Sequence, residues 1–251
     1  VKLEGLEVEF GGLTARGTYT PAPGLTITKF EGWNDGVDGD FDEERVIAGP
    51  GSVDVAVELS SRMVSMSGRG RARTLEDLGE LRDRVTGQVG GQTARPFTVR
   101  ELGETTWAPA QCIRAKFPIF GGQLFGDFSM TFWMPKPWKF GDRTESFANG
   151  EFAYHRGNTE SVPYFRIGGD RPNGYTIAGP DGKSVVISRP VVPGILHEYN
   201  MTDGELYIGG LLVDGGIDRG DSWAIPGGGG FAHTITGGGG SFETLLRKVT
   251  I

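Results

Sequence analysis

The sequence predicts an all-β protein with one short α-helix, built as two consecutive β domains. Three observations carry this. The 251 residues include 43 glycines and 14 prolines, nearly double the ordinary combined usage of roughly 12%, which supplies turns and leaves little room for long helices. Several runs place apolar residues at every second position, the period of a half-buried strand. In the second half of the chain, short apolar runs follow one another at close spacing with turn residues between them, the pattern of a β-sandwich.

The elements follow in chain order. Leu6, Val8 and Phe10 alternate with Glu7 and Glu9, and Val53, Val55, Val57 and Leu59 alternate with Asp54, Ala56 and Glu58, so each run is a strand with one core face. The spacing predicts a helix over 74–86. Thr74 caps it, Asp77 sits three residues later, Leu75, Leu78, Leu81 and Val85 recur at three or four, and Gly87 stops it. A hairpin follows, with 111–120 and 123–134 flanking Gly121-Gly122. In its second arm Phe128, Met130, Phe132 and Met134 share a face; in its first, Arg114 and Lys116 alternate with Ile113, Ala115 and Phe117. Arms of this length make a ribbon of roughly 35 Å, so the 111–134 hairpin is expected to extend past its own domain as an arm covered by a neighbouring subunit or sheet.

Pro135-Lys136-Pro137 ends the ribbon, the polar stretch 141–146 precedes a new set of short apolar runs, and the domain boundary is placed at about residue 141, giving domains 1–140 and 141–251. The second domain has strand candidates at 151–156, 163–168, 174–178, 184–188, 196–199, 205–208, 211–214, 222–225, 231–236 and 242–250. Asp203-Gly204 and Gly209-Gly210 suit tight hairpin turns, and the four-glycine runs 227–230 and 237–240 read as loops.

Composition excludes several function classes. Cys112 is alone, so neither a disulfide framework nor a thiolate zinc site is available. A net charge of -7 argues against an autonomous nucleic-acid binder. The first ten residues lack the basic flank and apolar run of a signal peptide, and no stretch has the apolar length of a membrane helix, so a soluble protein of cytosolic synthesis is expected.

No motif assigns a catalytic, cofactor or metal residue. The acidic loop 35–44 carries Asp38, Asp40 and Asp42 at the spacing of calcium ligands, but Glu43 stands where the turn glycine of an EF-hand belongs; it is either a solvated loop or an ion site. Gly220-Asp221-Ser222-Trp223 ends in Ala224 where a hydrolase elbow needs glycine, and His155, His197 and His233 lie too far apart for a zinc motif. Arg69, Arg71 and Arg73 alternate on one face, as an edge that discourages strand pairing or as a surface for phosphates or carboxylates.

His155-Arg156-Gly157-Asn158, continued by Ser161, Pro163, Ile167 and Gly169, resembles the N-x-G-N-x-x-S-x-P-x-x-x-I-x-G stretch opening the C-terminal domain of siphophage distal tail proteins. Further similar segments follow in order: 175–183, 206–214 and Ser222-Trp223-Ala224-Ile225-Pro226-Gly227. Phe132-Trp133-Met134-Pro135-Lys136-Pro137-Trp138 upstream resembles the family's aromatic strand end, with Lys136 in place of an acid.

The resemblance implies a homohexameric ring at the tip of a long non-contractile tail, with a tail-tube-like N-terminal domain pairing around a channel and a galectin-like C-terminal sandwich projecting outward. The implied partners are further copies of itself, the tail tube protein, the tail-tip hub or tail-associated protein and receptor-binding proteins. Tape measure and DNA would pass transiently, and no membrane or cofactor is involved. The implied location is the virion, and the implied role is structural rather than enzymatic. Galectins use H-x-N-x-R and W-x-x-E-x-R runs, and neither follows His155 or Trp223 here. Carbohydrate binding at the tail tip is the alternative.

Overall fold

The computed structural model describes residues 3–40, 58–91 and 93–251. Its backbone divides into two compact units, one ending at Lys139 and including Ile251, the other spanning Phe140–Thr250. The fold is all-β apart from one α-helix and a single 3-10 turn.

The first unit is a closed barrel. It contains β1 (Glu7–Phe10), β2 (Leu13–Arg16), β3 (Gly24–Glu31), the short pair β4 (Gly39–Asp40) and β5 (Glu58–Leu59), β6 (Arg62–Arg71), α1 (Leu75–Thr86), β7 (Arg95–Glu101), β8 (Glu104–Lys116) and β9 (Phe125–Met134). The wall runs β8-β7-β1-β2-β3-β6-β9 and closes because β9 also pairs with β8. Only β2 and β3 run parallel among these neighbours, through a two-residue contact. Of the 53–59 run, Leu59 falls in β5, while Val53, Val55 and Val57 lie outside the described residues.

Period-two alternation builds the barrel core. Val8, Phe10, Ile27, Val64, Phe97, Val99, Phe128, Met130, Phe132 and Met134 are all buried. The rings of Phe10, Phe97 and Phe132 meet at centroid distances of 4.6 to 6.1 Å. Each such side chain contributes about 1.5–3 kcal/mol by leaving water. The helix forms because Thr74 accepts the Asp77 N–H at 3.0 Å, and it packs through Leu78, Leu81 and Val85. Leu75, expected on that face, is exposed in the first turn. Gly87 ends the helix in the right-handed region, its N–H donating to the Asp83 carbonyl at 2.8 Å, so no left-handed cap is required.

The long hairpin is part of the wall. β9 pairs with β6 along its whole length, from Phe125 opposite Arg71 to Met134 opposite Arg62. β8 is longer than its sequence signal: 104–110 pair with β7, and 111–116 are left for β9. The length that suggested an arm reaching beyond its domain is used to bridge two barrel neighbours. A bulge between Cys112 and Arg114 breaks the alternation of the first arm. Ile113 therefore faces outward beside exposed Arg114, while Cys112 and Phe117 are buried.

The second unit is a two-sheet sandwich. It comprises β10 (Lys139–Ala148), β11 (Phe152–Tyr154), β12 (Tyr164–Ile167), β13 (Tyr175–Ala178), β14 (Ser184–Ile187), β15 (His197–Asn200), β16 (Glu205–Ile208), β17 (Leu211–Leu212), β18 (Ile217–Gly220), β19 (Gly230–Ala232), β20 (Thr234–Thr236) and β21 (Phe242–Thr250). One sheet runs β17-β16-β15-β12-β21-β10, another β18-β14-β13-β20, and β11 pairs with β19. Phe165, Tyr199, Leu206 and Phe242 from the first sheet meet Tyr175, Ile177, Val185 and Ile187 from the second. The polar stretch 141–146, just past the expected boundary, lies within a strand. β10 buries Lys139 and Gly141 and leaves Asp142–Ser146 to solvent, so its hydrophobic alternation is too short to see. Strand 222–225 is likewise displaced: β18 precedes it, and Ile225 makes only an isolated bridge to Ser161.

Candidate functional site

The residues that could have made a reactive centre are dispersed. All three histidines are buried, each in its own setting. The Trp223 indole N–H donates to His233 Nε2 at 2.9 Å, His155 Nε2 meets the Thr159 carbonyl at 2.8 Å, and the Tyr175 hydroxyl meets His197 Nδ1 at 3.3 Å. Burial lowers the pKa of all three, that of His233 to about 4. The Ser222 carbonyl accepts from Lys183 at 3.0 Å, and Asp221 is held by Arg219 and the Ser184 N–H. Trp223 enters the sandwich core. Of the acidic loop, Asp35 accepts the Gly32 N–H at 2.8 Å and the Asp38 carbonyl accepts from Ser60, whereas Phe41 to Glu44 lie outside the described residues. Among the described residues no group of three or more His, Cys, Asp or Glu is arranged to hold a metal ion.

What the barrel does present is a set of binding features on its outer wall. On β6 the odd positions face out, which brings Arg69 and Arg71 to one side as their alternation predicts. Arg69 Nε donates to Asp127 Oδ1 at 3.0 Å, with its guanidinium 4.6 Å from the Phe125 ring centroid. Arg71 lies 4.9 Å from the Tyr19 ring and donates to Thr26 Oγ1 at 3.4 Å. Arg69, Arg71, Asp127, Thr26, Thr28 and Ser67 line an open groove of about 420 Å³. Arg73 lies past the strand and donates to the Ala22 carbonyl at 2.9 Å. The wall is therefore a mixed surface of two guanidiniums, hydroxyls and one carboxylate.

Next to this groove is the β8–β9 tip. Residues 118–124 are all exposed, among them Ile119, Phe120 and Leu124, and the Phe120 and Phe125 rings are 5.8 Å apart. At the other end of β8, the β7–β8 turn carries Leu102, 97% exposed, at φ 52. Gly103 follows at φ 80, and Glu101 pairs with Glu104 across the turn. The X-Gly pair between two strands was the available sequence signal for this turn.

Sequence alternation also contained an unread signal at Arg62, which occupies an inward position of β6 and is 2% exposed. Its guanidinium donates to the carbonyls of Gly32, Trp33, Asp35 and Pro137 at 2.7 to 3.2 Å. Lys139 Nζ donates to the Trp33 carbonyl at 2.9 Å. Two buried cations thus clamp the chain after β3 to the chain after β9, and burial lowers the Arg62 pKa.

No protein-family model and no curated protein sequence matches this chain. Solved structures do. The Dit protein of phage SPP1, described as a hub adsorption apparatus of phages infecting Gram-positive bacteria, is similar at a TM-score of 0.69 and 12% identity, covering 90% of this chain and 93% of that one. A chain of the phage P2 baseplate, in its activated conformation with Ca, is similar at 0.55 and 8% identity, covering 97% of each. The corresponding structure with Sr gives 0.53 and 8%. The chain has the fold of these hub and baseplate proteins.

Proposed function

We propose that this chain is a structural protein of a phage tail tip: a distal-tail hub, six copies of which form a ring that joins the tube of a long non-contractile tail to the adsorption apparatus. The ring surrounds the channel for tape measure and genome. Its neighbours are the tail tube protein on one side and tail-associated and receptor-binding proteins on the other, and its location is the distal end of the virion. The likeness to hub and baseplate folds across at least 90% of the chain, covering both units, carries this reading.

The physical features agree with a mechanical role. The polar groups that could do chemistry are spent on structure, the histidines in the core and the Arg62–Lys139 pair in the clamp. The exposed features are those of a surface that assembles: an apolar hairpin tip and an arginine groove on one rigid barrel. A ring needs heterologous contacts that close on themselves, and such surfaces supply them. The sandwich, with its own core, is the outward module, in the galectin-like manner that the sequence resemblance implies.

Two measurements test the reading. A density map of the particle should place six copies as a collar at the tail tip, and light scattering of the assembled protein should give six times the 27.0 kDa chain mass. Absence of the chain from the tail tip would reject the hub. Glycan binding by a single copy would favour the carbohydrate-binding alternative.

A further inference from the structure

Leu102 is an outlier in two respects. A non-glycine residue at φ 52 occupies the left-handed region, which Asn, Asp and Gly tolerate and a leucine enters only at a cost of about 1 kcal/mol or more. Its side chain is also 97% exposed, so no packing among the described residues compensates that cost. It stands at a hairpin tip between Glu101 and Glu104, an apolar knob with a carboxylate on each side.

A receptor for such a knob lies at the opposite end of β8, on the same barrel. The groove there has Arg69 and Arg71, the hydroxyls of Thr26 and Ser67, and room of about 420 Å³. The Phe125 ring lies under Arg69, and exposed Phe120 packs against it. Asp127 already engages Arg69, whereas Arg71 uses one long bond to Thr26 and keeps further N–H donors for a carboxylate. The Arg71 charge and the Phe120 and Phe125 rings complement a carboxylate and a leucine, and since the two halves are at opposite ends of a strand they cannot meet within one molecule.

We propose that the barrel is self-complementary head to tail: the Glu101-Leu102-Gly103-Glu104 turn of one copy seats in the Arg69/Arg71 groove of the next. Leu102 packs on the Phe125 and Phe120 rings, and the Glu101 carboxylate, which among the described residues accepts only from the neutral Asn34 amide at 3.1 Å, pairs with Arg71. Such a contact is heterologous, so it closes into a ring when the rotation per copy closes. The inference rests on the assembly reading above and names the residues that would make one of its contacts.

The test is sedimentation and light scattering of the full chain over rising concentration, with three variants. Leu102→Asn suits the left-handed position and removes the knob; it should leave the melting temperature unchanged or higher and weaken association about tenfold or more. Arg71→Glu and Glu101→Arg should each weaken association, and mixing the two should restore it, because each then supplies the complement of the other. Wild-type association untouched by Leu102→Asn and Arg71→Glu would overturn this contact and leave the hub reading standing. A wild-type chain that remains a single copy at every concentration would also overturn the contact, with the hub reading still decided by the density map.

Discussion

His233 shows how one buried side chain sets a pH limit on the fold. The Trp223 indole N–H points at Nε2, so the ring proton sits on Nδ1, which has no hydrogen-bond partner among the described atoms, and the Phe165 and Phe231 rings stand 5.1 Å away. A second proton would place a charge in this apolar surround, and burial pushes the pKa down to about 4. The unfolded chain takes up that proton near pH 6.5. The stabilisation is therefore complete above about pH 6.5 and is lost as pH falls toward 4, on the order of 3 kcal/mol over the window. Thermal melting followed from about pH 7 down to pH 4.5 should show this fall, and His233→Gln should flatten part of it, leaving the shares of His155 and His197. An unchanged slope in the variant would show that His233 is not the group responsible. What sequence spacing could not supply was the depth of each histidine, because burial is set by partners such as Trp223 that sit ten residues away.

At the scale of elements, local rules predict well where a segment's own sequence decides. The α1 cap is such a case: Thr74 and Asp77 meet as the spacing requires, and Thr74→Ala should cost about 1 kcal/mol, read as a lower denaturation midpoint with unchanged slope. Gly240→Ala should cost more, since the residue sits at φ 130 and a Cβ would come within 2.3 Å of the Gly168 carbonyl oxygen. A Cβ on Gly237 or Gly238 would likewise come within 2.7 or 2.6 Å of the Gly174 or Asp170 carbonyl oxygen, so close backbone approach accounts for three of the four glycines of 237–240. Elements decided by partners were illegible. β10 keeps its outer half polar, so its alternation is too short to mark a strand. The bulge at Cys112/Arg114 turns Ile113 outward against its alternation, because register there is set by β9. Likewise the length of β8 looked like an arm, and only its division between β7 and β9 shows that it closes a barrel.

For the whole molecule, the two separate cores make a prediction that does not depend on function. The barrel core and the main sandwich core share no residue, and Trp223 is the one tryptophan of the second unit, the other four lying in the first. Units with their own cores can unfold as separate steps, so calorimetry should give two transitions. Phe132→Ala removes a ring with 0% exposure at the centre of the barrel and should destabilise that transition by about 3–5 kcal/mol. Trp223 fluorescence, recorded in a variant whose other four tryptophans are replaced by phenylalanine, should follow only the sandwich and keep its midpoint. A Phe132→Ala variant in which both transitions move together would mean that the two units fold as one cooperative body. Independent transitions, by contrast, would let the sandwich vary without loosening the barrel.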